Sequence, residues 1–455
     1  MTGPETITTD GVRDDPGVRQ PFGAAYRRLW SAAVTSRFGD AVRTPALALL
    51  AASLTRDPRL VAGVVVAGQL PPLLLGLLAG VYADRWDRRR TMATVDGARC
   101  AVVAVLALLV LTGHVGIGAL AAAAFLLAAL GALFDAAAFA VLPAVVPAGL
   151  LPAANGRLAA GTAVAGGFVG APVAGLLFAT SAALPFAVDA ATFAVAALLA
   201  LTLPSARPAR HVTPVTVHHR PSVWQAAGDG LRWIRRDRVL LRITLLTAAS
   251  NLAISGLIAV LVLYALEVLG VTEAGYGALM ASAMLGGLAG GLGAGRLATR
   301  LGTRTGLRWV LVAQTLALVT LAVSRHPVPG GIALAVFSAG STTWNALWSA
   351  YGQRNVPAEL LGRVGSAQRV VGLVAAPVGA ALAGLTANMY GLPPVGYAAA
   401  VVFAVVTSAA WRVLGGNARS TQQPEDPAGV VLRDARHQFP VGKVAVEQAQ
   451  RPGDE

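Results

Sequence analysis

Residues 117–146 read IGALAAAAFLLAALGALFDAAAFAVLPAVV, an apolar run that contains one charged residue, Asp135. An α-helix rises 1.5 Å per residue, so about 20 such residues cross the roughly 30 Å hydrocarbon layer of a bilayer. Comparable runs recur about twelve times between Leu29 and Arg412. No soluble core requires so many in series. We therefore predict an all-α membrane protein with twelve transmembrane helices.

The composition of the chain supports this interpretation. Of its 455 residues, 55% are hydrophobic and 13% are charged, whereas soluble domains carry about 25% charged residues. A net charge of +14 would suggest a nucleic-acid partner in a soluble protein. Here the arginines cluster between apolar runs, where they set membrane topology, so no nucleic-acid partner is predicted. The single cysteine, Cys100, excludes an intramolecular disulfide and a cysteine-rich metal cluster.

Apolar and polar stretches divide the chain into five parts. We predict a disordered cytoplasmic N-terminus at 1–25, a six-helix half at 26–203, a cytoplasmic central loop at 204–237, a second six-helix half at 238–413 and a polar cytoplasmic tail at 414–455. The predicted spans are 28–54, 58–82, 92–113, 117–146, 156–181, 184–203, 238–266, 274–298, 308–324, 330–352, 362–388 and 393–413.

The distribution of arginine predicts the orientation in the membrane, because Lys and Arg concentrate in cytoplasmic loops. The connections after spans two and eight and the central segment are rich in arginine, whereas the alternate connections hold little positive charge apart from Arg56 and Arg59. Both termini and the central loop are therefore predicted to be cytoplasmic, in a plasma-membrane protein. The arginines concerned are Arg85, Arg88, Arg89, Arg90, Arg207, Arg210, Arg220, Arg232, Arg235, Arg236, Arg238, Arg300, Arg304 and Arg308.

The two halves repeat each other in sequence. Gly80-Val-Tyr-Ala-Asp84-Arg85 follows span two and Gly295-Arg-Leu-Ala-Thr299-Arg300 follows span eight, with glycine, alanine and arginine in matching places. A second pair of matching segments starts at Gly156 and Gly362. Two six-helix halves related by a repeat are a transporter architecture, with the substrate site near the midplane between them.

The loop at 80–90 resembles the signature of the major facilitator superfamily, a Gly-x-x-x-Asp-Arg-x-x-Arg-Arg type loop between helices two and three. Other segments resemble the bacterial efflux branch that includes the enterobactin exporter and macrolide efflux pumps, and the resemblance covers residues 25–413. It implies export, and a hinge at Gly170 and Pro172, where superfamily antiporters carry a glycine-proline motif. The segments resembling the efflux branch are Ser36–Asp40, Asp96–Arg99, Asn155, Gly170–Pro172 and Pro185–Ala190.

The same resemblance implies a gating role for the first copy of the loop. The residues that match the signature are Gly80, Asp84, Arg85, Arg88 and Arg89. The second copy departs from the pattern, because Thr299 stands where the acid would be. The gating role is therefore carried over to Asp84 and not to Thr299.

Charged residues inside the spans are candidates for function, because such groups are rare and costly in a membrane. Arg37, Asp40 and Arg43 follow at intervals of three residues and share one face of the first helix. In one interpretation Asp40 binds a proton or a cationic cargo. In the other, the triad is neutralised and only holds helices together. Asp96 and Arg99 have the same spacing in the third helix and are predicted to form a structural ion pair.

Asp135 is the first candidate for proton coupling. It has no basic neighbour at helical spacing, and a carboxylate that is removed from water and cations suits a reversible proton carrier. Asp189, near the start of the sixth span, is a further candidate for proton or cargo binding. Arg37 and Arg43 favour the charged form of Asp40, so Asp40 is predicted to serve cargo binding more than coupling.

Uncharged polar residues and two tryptophans are candidates for the lining of a cargo cavity. Interhelical hydrogen bonding and anchoring at the membrane interface explain the same residues equally well. The candidates are Gln69, Asn251, Gln314, Asn345, Trp344 and Trp348.

Motifs for ATP hydrolysis and for metal chemistry are missing from the sequence. The only lysine is Lys443, so there is no Walker A motif, and no histidines form a His-Glu-x-x-His arrangement. We therefore predict no enzyme, no cofactor and no metal site. The predicted function is secondary active export of an amphipathic small-molecule cargo (a drug, antibiotic or siderophore), coupled to protons, by a monomer in the lipid bilayer. The alternatives are a solute importer of the same fold and a transport-inactive receptor or scaffold.

Overall fold

The computed structural model describes residues 22–83, 87–203, 232, 235, 238–355 and 358–413. In this part of the chain the secondary structure is helical, with no β-strand. The thirteen α-helices of the described residues are α1 (Ala24–Leu54), α2 (Pro58–Ala83), α3 (Arg88–Leu111), α4 (Ile117–Val145), α5 (Leu151–Ala163), α6 (Gly170–Thr180), α7 (Leu184–Leu201), α8 (Arg238–Leu263), α9 (Glu273–Leu301), α10 (Thr303–Val323), α11 (Pro327–Asn355), α12 (Ala358–Tyr390) and α13 (Pro393–Val413).

Two π-helical segments modify the predicted spans. Val164–Val169 joins α5 to α6, and Tyr264–Val268 extends α8. The fifth predicted span, at 156–181, therefore contains a π-helical segment between two α-helices. Single π-helical turns inside α-helices occur frequently at functional sites.

Two helices begin before the apolar stretch that predicted them, and a polar side chain caps the first turn of each. The helix α3 starts at Arg88 instead of residue 92, and the Asp87 carboxylate accepts hydrogen bonds from the backbone N–H groups of Arg89 and Arg90 at 3.0 and 3.2 Å. At the start of α9, the Thr272 hydroxyl accepts from the backbone N–H of Gly275 at 3.1 Å. Such caps satisfy N–H groups that the helix leaves free.

The outer surface of the helix bundle is apolar. Large aliphatic side chains such as Leu111, Leu198 and Leu292 are more than half exposed. Among the described residues, eight helices are long and apolar enough to cross a membrane. Closed backbone hydrogen bonding and an apolar surface suit a lipid environment. The count of twelve spans stays a prediction.

The helices form two halves, α1–α7 and α8–α13, which contact each other through α2 with α12 and α6 with α9. We call one end of the bundle proximal; it carries the first residues of α1, the last of α13 and the connections near 146–150 and at Gly302. The opposite, distal end carries the turns at 55–57, 112–116, 181–183, 269–272, 324–326 and 391–392.

The two halves meet closely at the distal end. A Cβ added to Gly384 of α12 would lie 2.8 Å from the Cβ of Ala62 on α2. Likewise, a Cβ on Gly175 of α6 would lie 2.8 Å from the backbone oxygen of Ala274 on α9. An ion pair between Arg56 and Glu267, at 3.3 Å, adds a charged contact. The interface between the halves is therefore packed shut at this end.

Candidate cargo and proton site

The first helix presents a polar face to its neighbours. Ser36, Arg37, Asp40 and Arg43 lie within two turns of α1 and point to the same side. Arg37 is the most exposed of the three charged residues, with 46% of its side chain accessible, whereas Arg43 and Asp40 retain 11% and 14%. Side-chain accessibility along this face therefore decreases from Arg37 to Asp40 and Arg43.

A glycine allows the sixth span to approach this face. A Cβ at Gly39 would overlap Oγ1 of Thr192 and Oδ1 of Asp189, both on α7. Without a side chain at position 39, α7 comes close enough to place Asp189 against α1. The close approach thus brings a carboxylate of one helix to the arginine of another.

Arg43 links two carboxylates on different helices. Its Nε–H donates to Oδ2 of Asp189 at 2.8 Å, and its Nη2 donates to Oδ1 of Asp40. The Asp189 side chain has no accessible surface. Hydrogen bonds between ionised groups are the strong ones in proteins, particularly away from water.

Arg99 of α3 joins the same network from the other side. Its Nη2 lies 3.5 Å from Oδ2 of Asp40, and its Nη1 donates to Oδ1 of Asp96 at 3.4 Å and to Oγ of Ser36 at 3.2 Å. The guanidinium carbon lies 4.7 Å from the ring centre of Phe193, within cation–π range. Asp96 and Arg99 are in contact, within a larger network than a single pair; their structural role stays a prediction.

The structure corrects the description of Asp135. The sequence predicted a carboxylate without a neighbouring cation, but Nη2 of Arg37 lies 3.3 Å from its Oδ1. Its side chain is also 63% exposed. Helical spacing reveals only neighbours on the same helix, and the partner here comes from α1. Asp135 is therefore an accessible, paired carboxylate.

Among the residues that the structure describes, seven charged side chains belong to this network, and we call them the charged cluster. They contain one more carboxylate than guanidinium groups. Two carboxylate oxygens, Oδ2 of Asp96 and Oδ1 of Asp189, are buried and have no hydrogen-bond partner among the described residues. The members of the cluster are Arg37, Asp40, Arg43, Asp96, Arg99, Asp135 and Asp189.

The charged cluster borders a cavity of about 630 Å³ between the two halves, which we call the central cavity. Its charged lining residues are two carboxylates and three guanidinium groups, and the rest of the wall is largely apolar. The charged residues are Asp40, Asp135, Arg37, Arg43 and Arg99. Its volume falls in the range of about 300–1,000 Å³ that holds drug-sized ligands. Apolar lining residues come from both halves, including Leu127, Ala128, Ile258, Val262 and Met280.

Five of the six predicted cavity-lining residues lie together in a different place. They line a pocket of about 200 Å³ within the second half, which we call the neutral pocket. Gln69 lies in neither the central cavity nor the neutral pocket, and its buried Oε1 has no partner among the described residues. The five are Asn251, Gln314, Trp344, Asn345 and Trp348.

A comparison with protein families accounts for this architecture. Residues 29–380 match the model of the Major Facilitator Superfamily. The chain belongs to this superfamily. It is therefore a multi-pass membrane transport protein for small molecules and not an enzyme.

Individual relatives of this superfamily member match over shorter stretches or at low identity. An uncharacterised MFS-type transporter of Mycobacterium tuberculosis and its Mycobacterium bovis counterpart are each 37% identical over 82 residues, which is 17% of this chain and 19% of the relative. The chain thus matches about a fifth of the length of these curated relatives.

Solved transporter structures share the fold. A mutant of the nucleoside transporter NupG superimposes with a TM-score of 0.71 at 12% identity, covering 86% of this chain and 99% of that one. A bacterial homologue of the iron transporter ferroportin, in its inward-facing state, gives 0.68 at 14% identity, covering 87% and 100%. At these identities the likeness shows the superfamily fold alone.

The superfamily's loop signature is only partly described. Gly80 lies in the last turns of α2, and Arg88 and Arg89 open α3 behind the Asp87 cap. Asp84 and Arg85 lie outside the described residues, as does the side chain of Arg88. The gating role of the loop therefore stays a prediction.

The predicted hinge in the fifth span of this superfamily member coincides with irregular backbone. Gly170 directly follows the π-helical segment Val164–Val169, and Pro172 lies in the first turn of α6. Gly170 is buried, and a Cβ there would collide with Ala41 of α1. A wide helical turn beside a close helix contact is compatible with a hinge, and the hinge itself stays a prediction.

Sequence reasoning missed the residues that connect helices. In the sequence, Ser36 and Gly39 stand out only as parts of a motif, and no spacing predicts the contact between Arg56 and Glu267. The sequence does carry one signal of these shared contacts. When the first two residues of each span are left out, the predicted spans of the first half contain more aspartates than arginines. Counting these charges would have indicated that the aspartates share their counter-ions.

Proposed function

We propose that this transporter is a proton-coupled exporter of an amphipathic small molecule, which works by alternating access between its two halves. The observation that carries the proposal is the charge imbalance of the charged cluster at the wall of the central cavity. The cluster supplies the proton site, and the cavity supplies the cargo site.

The imbalance favours uptake of one proton. Four carboxylates, those of Asp40, Asp96, Asp135 and Asp189, face three guanidinium groups. Removing a net charge from water is unfavourable, and it is most unfavourable for groups that have no compensating hydrogen bonds. Binding of one proton makes the cluster neutral. Release of this proton then accompanies the change between the inward-facing and outward-facing states of the transporter.

Among the four carboxyls, we assign the proton to Asp189. Asp135 is exposed, and Asp40 contacts all three arginines, so both are well compensated as anions. Asp189 and Asp96 are fully buried, and each has one oxygen without a described partner. Arg43 connects Asp189 to Asp40 at the cavity wall through short hydrogen bonds. Arg99 connects Asp96 to Asp40 through longer contacts, of 3.4 and 3.5 Å. Cargo binding at Asp40 can therefore act on Asp189 through a shared guanidinium.

The central cavity suits an amphipathic cargo that carries positive charge. The accessible carboxylate of Asp135 lies at its wall beside Arg37, and most of the wall is apolar. A cationic group competes with Arg37 for Asp135, while the apolar part of the cargo contacts side chains from both halves. The cargo therefore bridges the halves that must move.

We further propose twelve spans, with the proximal end, both termini and the 204–237 loop in the cytoplasm. The helical continuity of α5 and α6 through Val164–Val169 supports treating them as one span. The arginine asymmetry supports the orientation. Because the halves are packed shut at the distal end, the described state is then closed to the outside. A monomer in the plasma membrane is part of this proposal.

Export is proposed on the resemblance to the efflux branch. Three of the segments that resemble this branch also supply members of the charged cluster: Ser36–Asp40, Asp96–Arg99 and Pro185–Ala190. The resemblance thus includes residues that carry the proposed mechanism.

The proposal is tested with everted membrane vesicles that hold an acidic interior. Amphipathic antibiotics and siderophores are added one at a time, and collapse of the pH gradient is recorded. An exporter collapses the gradient with at least one compound, and vesicles with Asp40→Asn and vesicles without the transporter do not. Cargo movement only into intact cells would support the importer. Absence of flux in either direction would support the receptor or scaffold.

A further inference from the structure

The neutral pocket is the counterpart, in the second half, of the charged cluster in the first. Gln314 follows Gly295 at the same interval at which Arg99 follows Gly80, the glycines that begin the two copies of the loop. Packing shows the same relationship. A Cβ on Gly131 of α4 would lie 2.7 Å from Nη2 of Arg99, and a Cβ on Gly340 of α11 would lie 2.5 Å from Cγ of Gln314.

The two counterparts differ in charge. The charged cluster joins α1, α3, α4 and α7, and the neutral pocket is enclosed by the corresponding helices α8, α10, α11 and α13. Among the described residues, none that lines the neutral pocket carries a formal charge. A ligand group bound there is recognised by shape, stacking and hydrogen bonding instead of ion pairing.

Two indole rings form an aromatic surface in the neutral pocket. The rings of Trp344 and Trp348 are nearly parallel, at 10°, with centres 6.2 Å apart. This separation is within the range of stacked aromatic pairs, so the two rings contact each other and leave no room for a third ring between them. A planar group therefore packs against the pair from outside.

Carboxamides with free hydrogen-bonding capacity surround this surface. The amide nitrogen of Gln314 donates to Oγ of Ser341 at 3.0 Å, and its Oε1 has no partner among the described residues. The side chains of Asn251 and Asn345 make no hydrogen bond within the described part of the chain. Each offers both a donor and an acceptor to a ligand.

The size of the neutral pocket limits what it accommodates. The volume of the pocket is about 200 Å³. It holds a group of one or two rings, and it is smaller than the pockets that enclose whole drug-sized ligands. Ile254 lines the neutral pocket and Ile258, one helical turn along α8, lines the central cavity.

We propose that the neutral pocket binds a planar, uncharged ring that bears amide-like donors and acceptors. The proposal rests on the proposed function in that this ring belongs to a transported cargo, whose amphipathic remainder occupies the central cavity. The first half then recognises charge and the second half recognises a flat neutral group.

The test uses two probes of the same carbon count, benzamide and cyclohexanecarboxamide, which share the carboxamide and differ in the planarity of the ring. Binding to the purified full-length transporter in detergent is measured by ligand-observed NMR titration. Stacking should make benzamide bind about 3- to 10-fold more tightly. Trp344→Leu should abolish this preference. Trp309→Leu is the matched control, because Trp309 is half exposed and lies outside the pocket.

A second variant keeps the test decisive if Trp344→Leu does not fold. Asn345 is exposed at the pocket wall, so Asn345→Ala should fold, and it should weaken binding of both probes by about 3-fold or more. Equal affinities for the two probes, or unchanged binding in Asn345→Ala, would overturn the proposal. Trp309→Leu should leave benzamide binding unchanged, because Trp309 lines neither the neutral pocket nor the central cavity. Because no proton flux is measured, failure here is distinguishable from failure of proton coupling.

Discussion

Nε of Arg43 lies 2.8 Å from Oδ2 of Asp189, and this contact joins the first helix to a carboxylate that has no accessible surface. The same guanidinium binds Asp40 at the wall of the central cavity. A change at the cavity wall can therefore alter the environment of a carboxyl that neither water nor cargo reaches directly. The first prediction follows from this connection.

Asp189→Asn should abolish proton-driven uphill transport and retain downhill exchange of cargo, because asparagine imitates a permanently protonated carboxyl. The measurement is the number of protons moved per cargo molecule in proteoliposomes, together with cargo counterflow. Asp96→Asn is the matched control: Asp96 is equally buried in the charged cluster, but Arg99 links it to Asp40 only through the longer contacts of 3.4 and 3.5 Å. Normal stoichiometry in Asp189→Asn would remove this residue from coupling.

Asp135→Asn should weaken binding of a cationic cargo and leave the proton stoichiometry intact. Asp135 is 63% exposed and already paired with Arg37. The affinity for the cationic cargo should therefore fall only modestly, by about 5-fold or roughly 1 kcal/mol. Cargo affinity is measured for a cationic compound and for its uncharged analogue, which should not be affected. Loss of coupling with unchanged affinity would instead assign the proton site to Asp135.

Gly39→Ala should destabilise the transporter, because the added methyl would overlap Thr192 and Asp189. Overpacking of this kind costs about 1–3 kcal/mol. Thermal unfolding in detergent should show a lowered midpoint. Gly118→Ala is the control, since nothing lies within 4 Å of a Cβ at that position of α4. Equal midpoints for the two variants would contradict the close packing of α1 on α7.

Breaking the ion pair between Arg56 and Glu267 should favour opening at the distal end. The pair is 3.3 Å long and largely exposed, with 65% and 42% of the side chains accessible, so Glu267→Gln should change the balance of states by at most about 5-fold. The readout is labelling of Thr44→Cys in the central cavity by an impermeant maleimide, in a Cys100→Ser background. The double variant Arg56→Glu with Glu267→Arg should restore the original rate of labelling. Faster labelling in this double variant would contradict the pairing.

The orientation predicts which side of the membrane two introduced cysteines face. A cysteine at Ser205, in the predicted central loop, should resist an impermeant reagent in intact cells. A cysteine at Thr272, an exposed residue of the distal turn at 269–272, should react. Equal labelling at the two positions would overturn the proposed topology.

Local spacing predicted part of the candidate site. The shared face of Arg37, Asp40 and Arg43 follows from intervals of three residues on one helix, and the contact of Asp96 with Arg99 has the same origin. The partner of Asp135 could not be predicted in this way, because Arg37 approaches it from another helix. Likewise, five of the candidate cavity residues do line a pocket, but the sequence did not predict that this pocket is separate from the central cavity.

The sequence by itself determined that the chain is a helical membrane protein with an internal repeat, because the length of an apolar helix is read against the fixed thickness of the bilayer. Only the tertiary structure decided which charges meet and which pockets form. Those outcomes depend on where helices approach closely, as at Gly39, where the absence of one side chain lets Asp189 reach Arg43. Close approach depends on the surfaces of two helices, so the periodicity of residues along one helix cannot predict it.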